Sequence, residues 1–423
     1  MTDTRDELVE GDLVDVTVGP PAHGGHCVAR IGGPHGQVVF VRHALPGERV
    51  TVVVTERHRG YLRGDAIAIH EAAADRVSPP CPYAHPGGCG GCDLQHVAEG
   101  AQLSWKTAVV REQLARPGGL TPAEIDDLGV RVEAVPLGVP SGSPRRPEDQ
   151  APGASTGSLG WRSRVRYAVD AAGRPGLLQH RSHQVVPVQR CRIAHPALQQ
   201  LDVTRRRWPG EAAIDVVAST GGDVSVVTGG GEVCSGPTEV VELAAGRRWL
   251  VPVGDFWQVH PAAADTLVTA VLDLAEPAPG EIAWDLYGGS GLFAAALAGR
   301  TGGRVTLVES GPAGVAAARA NLADLAGIEV IAARVEVALG RRRITGPVDV
   351  VVLDPPRTGA GVRVVEGIVA AGPRAVAYVA CDPAAMSRDV AAFRAAGWRL
   401  AALRAFDLFP MTQHVECVAL LMP

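Results

Sequence analysis

Eight cysteines and a few carboxylates carry the chemistry that this sequence could perform. Cys381 stands directly before Asp-Pro in the stretch YVACDPAAMSRD, at the predicted end of a strand. A cysteine there could be a buried part of the core, a metal ligand or a nucleophile, because the thiolate is both the ligating and the nucleophilic form. The surrounding sequence has to distinguish among these roles.

Three cysteines lie close together in CPYAHPGGCGGCDLQH, and a fourth follows in VQRCRIAHP: they are Cys81, Cys89, Cys92 and Cys191. Clustered cysteines in a cytosolic chain are more often metal ligands or catalytic groups than disulfide partners. Four thiolates suit zinc or an iron–sulfur cluster, and three close cysteines with a distant fourth favour a 4Fe–4S cluster. Zinc, structural thiols without a metal, and His85 or His96 as substitute ligands are the alternatives.

The stretch WDLYGGSGLFAAALA predicts a strand, a Gly-rich turn and a helix. Such a turn at the carboxyl edge of a parallel sheet lets a ligand approach the backbone. The next predicted strand ends in Glu309, which could accept hydrogen bonds from ribose hydroxyls. Because the stretch has no phosphate-binding G-x-G-x-x-G, S-adenosylmethionine fits better than a dinucleotide. The alternative is a strand, turn and helix without a ligand.

Two further motifs end in side chains that could act nearby. VVLDPPRTG predicts Asp354 at a strand end, where two prolines fix the chain as it leaves the sheet, and offers Arg357 to an anionic group. FDLFPMTQHVECVALL supplies Asp407, His414 and Glu416 before a final strand. Burial in that apolar strand would raise the pKa of Glu416, although an edge-strand residue is the alternative.

The elements that must position these groups divide into three predicted domains. Residues 1–72 carry short strands and turns typical of an oligonucleotide-binding type β-barrel, or of a small β-domain used only for stability. Residues 73–250 form a central domain, mainly antiparallel, with a helix over 97–116 and a flexible Pro-, Gly- and Ser-rich insertion at 141–158. Over 251–423, apolar strands alternate with helices, which predicts an α/β, Rossmann-like, doubly wound parallel sheet.

Composition narrows the class of protein. With 46% hydrophobic and 20% charged residues the chain is folded rather than disordered. It has neither an apolar run of membrane-spanning length nor a secretory signal, which predicts a cytoplasmic protein. The net charge of −5 gives no global nucleic-acid footprint. Local basic faces could lie at Arg57–Gly64, Trp161–Tyr167 and Arg205–Trp208, or these arginines could simply be solvated.

Together these motifs resemble the RNA 5-methyluridine (uracil-C5) methyltransferase family, in its branch with a TRAM domain and an iron–sulfur cluster, similar to 23S rRNA (uracil-5-)-methyltransferases. GGHCVARIGG and VVFVRHALPGERV carry the resemblance in the barrel, and CGGCDLQH carries it in the cysteine segment. FWQVHP, DLYGGSG, LDPPRTG, YVACDPAAMSRD and FPMTQHVE then follow in the family's order. The resemblance covers almost the whole chain, and five motifs in order are far more specific than one.

The resemblance implies Cys381 as the nucleophile and Glu416 as the base. The cofactor and target pocket would be lined by Gln258, Tyr287, Glu309 and Asp354, and the cluster would be held by Cys81, Cys89, Cys92 and Cys191. The cofactor would be S-adenosylmethionine and the partner an RNA, with rRNA favoured over tRNA because the barrel and the cluster together resemble the rRNA-type members. We expect a monomer without a membrane attachment.

The sequence departs from the family pattern at several positions. Gly288 stands where cysteine is usual, Leu292 where some members have a polar cofactor contact, and His260 where asparagine is common. The first cysteine spacing is longer than usual, and Ala385–Met386 replaces a threonine-containing turn. None of these departures removes a proposed catalytic group.

Methylation of uracil C5 explains why the residues would be needed. C5 is a poor nucleophile, and a thiolate added to C6 turns the ring into an enolate that can attack a methyl sulfonium. We expect an exposed, polar strand end to lower the pKa of Cys381, and Glu416 to remove the C5 proton. Because four other cysteines make up a ligand set, Cys381 is free to be the nucleophile.

Two other classes of protein are alternatives. The altered Gly-rich turn and the acidic net charge fit a non-catalytic RNA-binding or assembly protein that retains the fold. An iron–sulfur redox protein fits less well, because the cofactor-like site beside the cluster lacks a dinucleotide phosphate loop.

Overall fold

The computed structural model describes residues 8–137 and 158–423 of the chain, so the predicted insertion lies outside the described residues except for Ser158. The first five strands close into a barrel: β1 (Leu13–Ala22), β2 (His26–Ile31), β3 (Gln37–Arg42), β4 (Arg49–Arg57) and β5 (Tyr61–Glu71). Their order is β1-β2-β3-β5-β4, with β3 and β5 parallel and the other pairs antiparallel. Alternation in β4 buries Val50, Val52 and Val54 in the barrel core. The predicted oligonucleotide-binding type barrel is confirmed.

A helix joins the barrel to the rest of the molecule. The segment after the barrel contains α1 (Glu99–Ala115), α2 (Pro122–Asp127) and β6 (Val132–Ala134). Trp105 and Val109 of α1 pack into the barrel core. Val110 and Leu114, on another side of the same helix, pack into the core of the C-terminal domain. The helix therefore packs against both cores.

The middle of the chain is antiparallel, as predicted. Its elements are β7 (Arg164–Val169), β8 (Pro175–Leu178), β9 (Val185–Pro187), α3 (Pro196–Gln199), β10 (Ala213–Ala218), β11 (Val224–Thr228), β12 (Val233–Ser235), β13 (Glu239–Ala244) and β14 (Arg247–Pro252). Six of the strands form one sheet in the order β12-β11-β10-β7-β8-β9, and β13 pairs with β14. Tight glycine-containing turns join neighbouring strands such as β10 and β11, which explains the antiparallel pairing.

The C-terminal region is an α/β domain. Its strands are β15 (Ala283–Leu286), β16 (Val305–Glu309), β17 (Ile328–Ala332), β18 (Val350–Leu353), β19 (Ala375–Ala380), β20 (Arg399–Asp407) and β21 (Glu416–Met422). Its helices are α4 (Ala263–Ala275), α5 (Leu292–Thr301), α6 (Pro312–Asn321), α7 (Val335–Gly340), α8 (Val362–Ala371) and α9 (Pro383–Ala395). The strand order is β17-β16-β15-β18-β19-β21-β20-β6. β18 and β19 are buried along their whole length, as expected of a sheet covered on both faces.

The directions of the strands in this sheet determine which residues meet at its carboxyl edge. β15 to β19 are parallel, whereas β21 runs antiparallel between β19 and β20. An antiparallel strand begins where its parallel neighbours end, so the first residue of β21 lies at the carboxyl edge of β19. Strand order reverses between β15 and β18, the point where such sheets bind ligands.

The segment carrying β6 also joins this sheet. β6 pairs in parallel with β20, although the sequence assigns it to the central domain. The domain boundaries at 72 and 250 stay a prediction. Among residues 8–137 and 158–423, the structure has no helix both long and apolar enough to cross a membrane.

Candidate active site

One cleft at the carboxyl edge of the sheet contains all six side chains that the sequence predicts for catalysis and cofactor binding. They are Gln258, Tyr287, Glu309, Asp354, Cys381 and Glu416. The cleft has a volume of ≈ 1380 Å³, which is large enough for a nucleoside cofactor together with a nucleotide base. Five strands and the loop before α4 bring these residues together from distant parts of the chain.

The register of β19 and β21 brings two of these residues together. Ala380 pairs with Cys417 across the two antiparallel strands. The next step of the same register puts Cys381 opposite Glu416, where side chains on neighbouring strands lie about 5 Å apart. Cys381 is half-buried and Glu416 is almost completely buried. A thiol and a carboxyl therefore face the same space.

The electrostatics of the cleft differ from what the sequence predicts for the thiol. Burial, followed by the negative charge of Glu416, raises the pKa of Cys381 to about 11, and the Arg357 guanidinium only partly opposes this rise. The expectation of a lowered thiol pKa is therefore wrong for the protein alone. The strand end is half-buried and bordered by carboxylates, and one arginine does not offset both effects.

The two carboxyl groups of the cleft are also perturbed. Burial raises the pKa of Asp354 to about 7. Burial and the charge of Asp354 raise the pKa of Glu416 well above its ordinary value, as the sequence predicts for a buried carboxylate. Because both groups lie in one poorly solvated region, ionising the first disfavours ionising the second. The cleft can therefore hold or accept a proton near neutral pH.

The Gly-rich turn after β15 is held by Glu309. Its Oε2 accepts a hydrogen bond from the amide of Gly289 at 3.1 Å. Its Oε1 accepts from the amides of Ser310 (2.6 Å) and Gly311 (2.5 Å). Tyr287 has a positive φ of 64°, which is uncommon outside glycine and marks a constrained turn. Glu309 thus shapes the turn and still lines the cleft with its carboxylate.

The structure explains one departure from the family pattern. A Cβ added to Gly288 would lie 2.5 Å from Cγ of Leu307 and 3.0 Å from Oδ2 of Asp285. Leu307 therefore occupies the space that a side chain at position 288 would need. Two of the other departures, Leu292 and His260, are buried, and Leu292 also lines the cleft.

Asp285 supports the turn from below. It is completely buried, and its Oδ2 accepts a hydrogen bond from the amide of Ala294 at 2.8 Å near the start of α5. Its Oδ1 has no partner among the described residues. Burial raises the pKa of Asp285 to about 7. The sequence places this residue at the sheet edge but does not include it among the site residues.

A second supporting carboxylate, Asp389, is missed by the sequence. It accepts hydrogen bonds from the amides of Ala360 (2.7 Å) and Gly361 (3.1 Å), and from the hydroxyl of Tyr378 (2.6 Å). These bonds anchor the loop that begins at Asp354. A signal for Asp389 exists in the sequence, because Asp389 is the last residue of YVACDPAAMSRD. In the structure it lies on α9, which follows β19.

The loop between β20 and β21 is anchored from α1. The fully buried ammonium of Lys106 donates to Oδ1 of Asp407 at 2.6 Å and to the carbonyl of Phe409 at 3.1 Å. Asp407 therefore serves this ion pair and is not among the residues lining the cleft. His414 does line the cleft, and burial lowers its pKa to about 4.

The four predicted cluster ligands line a second, small cavity: Cys81, Cys89, Cys92 and Cys191. Burial raises the pKa values of Cys89, Cys92 and Cys191, and the mutual repulsion of the thiolates adds to the effect. The imidazole of His96 lies 3.4 Å from the carbonyl of Ala44 and does not line the cavity.

Within residues 8–137 and 158–423, no group of three or more His, Cys, Asp or Glu side chains is close enough together to hold a metal ion. The four thiols that line one cavity have the ligand chemistry of a cluster site. The cluster therefore stays a prediction.

The arginine-rich segments have different surroundings. Arg164 is buried and pairs with Glu242 at 3.0 Å, so it belongs to the interior of the central domain. Arg162 lines the cleft. On the barrel, Arg63 lies over the ring of Tyr61, which stacks on His58 with 4.5 Å between ring centroids.

Two known families match parts of the chain. A TRAM domain matches residues 7–67, and tRNA (Uracil-5-)-methyltransferase matches residues 345–423. The first match covers the barrel. The second covers β18 to β21, which carry the thiol and both perturbed carboxyl groups of the cleft.

Whole-length similarity extends to curated proteins. An uncharacterized RNA methyltransferase of Streptomyces avermitilis is 47% identical, covering 98% of this chain and 99% of the relative. The 23S rRNA (uracil(1939)-C(5))-methyltransferase RlmD of Acidithiobacillus ferrooxidans is 29% identical, covering 94% of each. Among solved structures, the tRNA (uracil-54, C5)-methyltransferase of Pyrococcus abyssi with S-adenosyl-L-homocysteine has a TM-score of 0.66 at 22% identity, covering 96% of this chain and 99% of that one. That likeness shows a shared fold.

Proposed function

We propose that this chain, which belongs to the family of uracil-C5 RNA methyltransferases, performs its S-adenosylmethionine-dependent reaction through covalent catalysis by Cys381. The observation that carries the mechanism is the opposition of Cys381 and Glu416 across β19 and β21. Both groups line the same cleft as the Gly-rich turn. A nucleophile, a base and a nucleoside-sized site are thus combined at one sheet edge.

The reaction at the uracil ring follows from these positions. The thiolate of Cys381 adds to C6, and the electron pair of the C5–C6 double bond moves to make C5 nucleophilic. S-adenosylmethionine, when bound, would supply the methyl group: C5 would bond to the methyl carbon, and the sulfur would leave with the electron pair of the broken sulfur–methyl bond, as S-adenosylhomocysteine. Glu416 then removes the proton from C5, and the returning electron pair breaks the bond between C6 and sulfur. Cys381 is released as the thiolate.

The reaction needs a proton acceptor in the cleft twice, first for the Cys381 thiol and later for the proton on C5. The Cys381 thiol, with a pKa of about 11, must lose its proton before it attacks. Asp354 can accept that proton and release it to water, so that Glu416 is ionised when it removes the C5 proton. Arg357 favours the thiolate by its charge.

The cofactor would occupy the turn side of the cleft. Glu309 and Tyr287 lie at the Gly-rich turn, and Asp354 and Gln258 line the same cleft. Turns of this kind at the strand-order reversal accept the nucleoside part of a ligand. The target uridine must leave its stack to reach Cys381, which favours a uridine in an RNA loop.

The RNA is ribosomal in this proposal. The barrel together with the four-cysteine segment supports rRNA, and the 29% identical relative named for 23S rRNA matches over nearly the whole chain. An RNA target fits a cytoplasmic, monomeric enzyme. Quantifying 5-methyluridine in separated rRNA and tRNA, from cells with and without the protein, tests this choice. Loss from tRNA alone contradicts it.

An iron–sulfur cluster is part of the same proposal. Support comes from the four thiols that line one cavity. Cys81, Cys89, Cys92 and Cys191 would hold the cluster, which would tie the segment after the barrel to the central domain.

The covalent mechanism is tested by replacing the nucleophile. The wild-type protein should form a lasting adduct with 5-fluorouridine RNA, because fluorine cannot leave C5 as a proton does. Cys381→Ala should abolish both this adduct and methyl transfer, because it lacks the attacking thiol. Cys234→Ala is the matched control, since Cys234 is exposed and does not line the cleft. Methyl transfer by Cys381→Ala would sink the mechanism.

A further inference from the structure

A side chain of the barrel contacts the residue that follows Cys381. Nε2 of His23, in the turn between β1 and β2, lies 3.1 Å from Oδ2 of Asp382. The two residues are 359 positions apart in the chain, and their side chains are 33% and 23% exposed. The barrel thus reaches the end of β19.

The turn that carries His23 is held firmly. Gly24 and Gly25 have φ values of 92° and 76°, a conformation that favours glycine. A Cβ on Gly25 would lie 2.7 Å from Cβ of Asp93, so the turn is packed against the segment that follows the barrel. His26, at the end of the turn, is buried. His23 is therefore presented by a packed turn rather than by a loose loop.

Asp93 extends the contact toward Glu416. Its Oδ1 accepts from Nη2 of Arg42 on β3 at 3.2 Å, and its Oδ2 accepts from the amide of Gln413 at 3.4 Å. Next to it, the amide of Leu94 donates to the carbonyl of Met411 at 3.0 Å. The barrel side of the molecule thus touches both chain segments that end in the reacting groups.

Asp382 has two partners from two parts of the fold. Its Oδ1 accepts from the amide of Ala385 at 2.8 Å and caps the start of α9. Its Oδ2 meets His23. A carboxylate held at both oxygens has a fixed orientation, and the preceding main chain, which belongs to Cys381, is fixed with it.

We propose that His23 is a positioning residue for Cys381, so that the barrel is a structural part of the active site as well as an RNA-binding domain. The inference rests on the proposed function, in which Cys381 is the nucleophile. When His23 is absent, Asp382 keeps its helix-capping bond but loses the imidazole partner of its second oxygen. The free negative charge then disfavours the neighbouring thiolate, and the strand end loosens.

The test compares His23→Ala, His23→Gln and His70→Ala in the full chain. The glutamine amide can still donate to Asp382. His70 is a matched control, because it lies on the same barrel with a 35% exposed ring 3.7 Å from Asp15. Three quantities are measured: the rate at which iodoacetamide alkylates Cys381 without RNA, the kcat and KM for methyl transfer to total RNA from cells lacking the protein, and thermal unfolding.

We expect His23→Ala to lower kcat and the alkylation rate about three- to tenfold, as for one partly exposed hydrogen bond to a charged group. The KM for RNA should stay nearly unchanged, and His23→Gln should recover most of both rates. A raised KM with unchanged kcat and alkylation would make His23 an RNA contact and overturn the inference. Equal loss in the stable His23→Gln variant would also overturn it.

The outcomes separate this inference from the proposed function. If Cys381→Ala is inactive while His23→Ala matches His70→Ala in every measurement, the inference fails and the proposed function stands. If Cys381→Ala is active, the covalent mechanism fails. The alkylation rates then still report whether His23 positions the thiol.

Discussion

Cys381 and Glu416 stand opposite each other at the ends of two antiparallel strands, one register step beyond the pair Ala380 and Cys417. Burial and the carboxylate charge of Glu416 raise the pKa of Cys381, because both oppose formation of the thiolate. The arrangement keeps the thiol protonated in the protein alone. Reactivity therefore depends on how the neighbouring carboxyl groups share their protons, and this dependence can be measured.

Replacing Glu416 by glutamine should separate the two halves of the reaction. Without the base, the C5 proton stays, so a methylated covalent adduct with RNA should accumulate while turnover falls at least ~100-fold. Loss of the carboxylate charge should also lower the pKa of Cys381 and speed its alkylation at pH about 9. Denaturing gels and mass spectrometry measure the two effects.

Glu366→Gln is the control for this change, because Glu366 is exposed on α8. It should leave turnover and alkylation unchanged. Normal turnover by Glu416→Gln would exclude Glu416 as the base.

The conformation of the loop after Asp354 should depend on the hydrogen bonds that Asp389 accepts. Asp389→Ala leaves the Gly361 amide and the Tyr378 hydroxyl without an acceptor, and leaves the Ala360 amide only the Tyr378 hydroxyl at 3.3 Å. We therefore expect a loss of about 3 kcal/mol in unfolding free energy together with most activity. Tyr378→Phe removes one of the three bonds and should cost about 1 kcal/mol. Urea unfolding and methyl-transfer assays measure the loss of stability and of activity in each variant. Arg388→Ala, an exposed neighbour on α9, should change neither quantity.

Buried histidines should make the fold sensitive to acid. Burial, followed by the Arg42 charge, lowers the pKa of His26 to about 3, and burial with the Arg76 charge lowers that of His96 to about 4. Below pH ~6.5 the unfolded chain binds protons that the folded protein does not, so stability falls with pH by ~1.4 kcal/mol per unit for each histidine until the folded pKa is reached.

Urea unfolding at pH about 7, 6 and 5 measures that slope. His26→Gln should reduce it by one histidine's share, whereas His70→Gln, at an exposed position, should not reduce it as much. An unchanged slope in His26→Gln would contradict the assigned burial.

The cysteine cavity should bind iron. Protein purified without oxygen should contain about four iron atoms per chain and show a brown chromophore. Cys92→Ser and Cys191→Ser should lose both, whereas Cys234→Ser, at an exposed cysteine outside the cavity, should keep both. Stoichiometric zinc without iron would show that the prediction of an iron–sulfur cluster is wrong.

Local sequence patterns account for much of the fold. The alternation of β4 and the apolar runs of β18 and β19 indicate which strands have one buried face and which have two. The strand ends also show where Asp354 and Cys381 leave the sheet. These features follow from neighbours in the chain, which is why periodicity and Gly- or Pro-containing turns predict them.

Contacts between distant segments could not be predicted in this way. Asp407 is offered by its motif as a site residue, but Lys106, 301 positions away, holds it in a buried ion pair. The assignment of β6 to the C-terminal sheet is a further case, since three residues carry too weak a pattern to indicate their partner strand.

The sequence by itself determined the three kinds of fold, the family and the identity of the groups facing the cleft. Only the tertiary structure decided the protonation of Cys381, because a pKa depends on burial and on charges such as Glu416 that arrive from another strand. The same holds for the contact of His23 with Asp382. Residue types and their spacing specify which groups are available, whereas their energies depend on which of them the fold brings together.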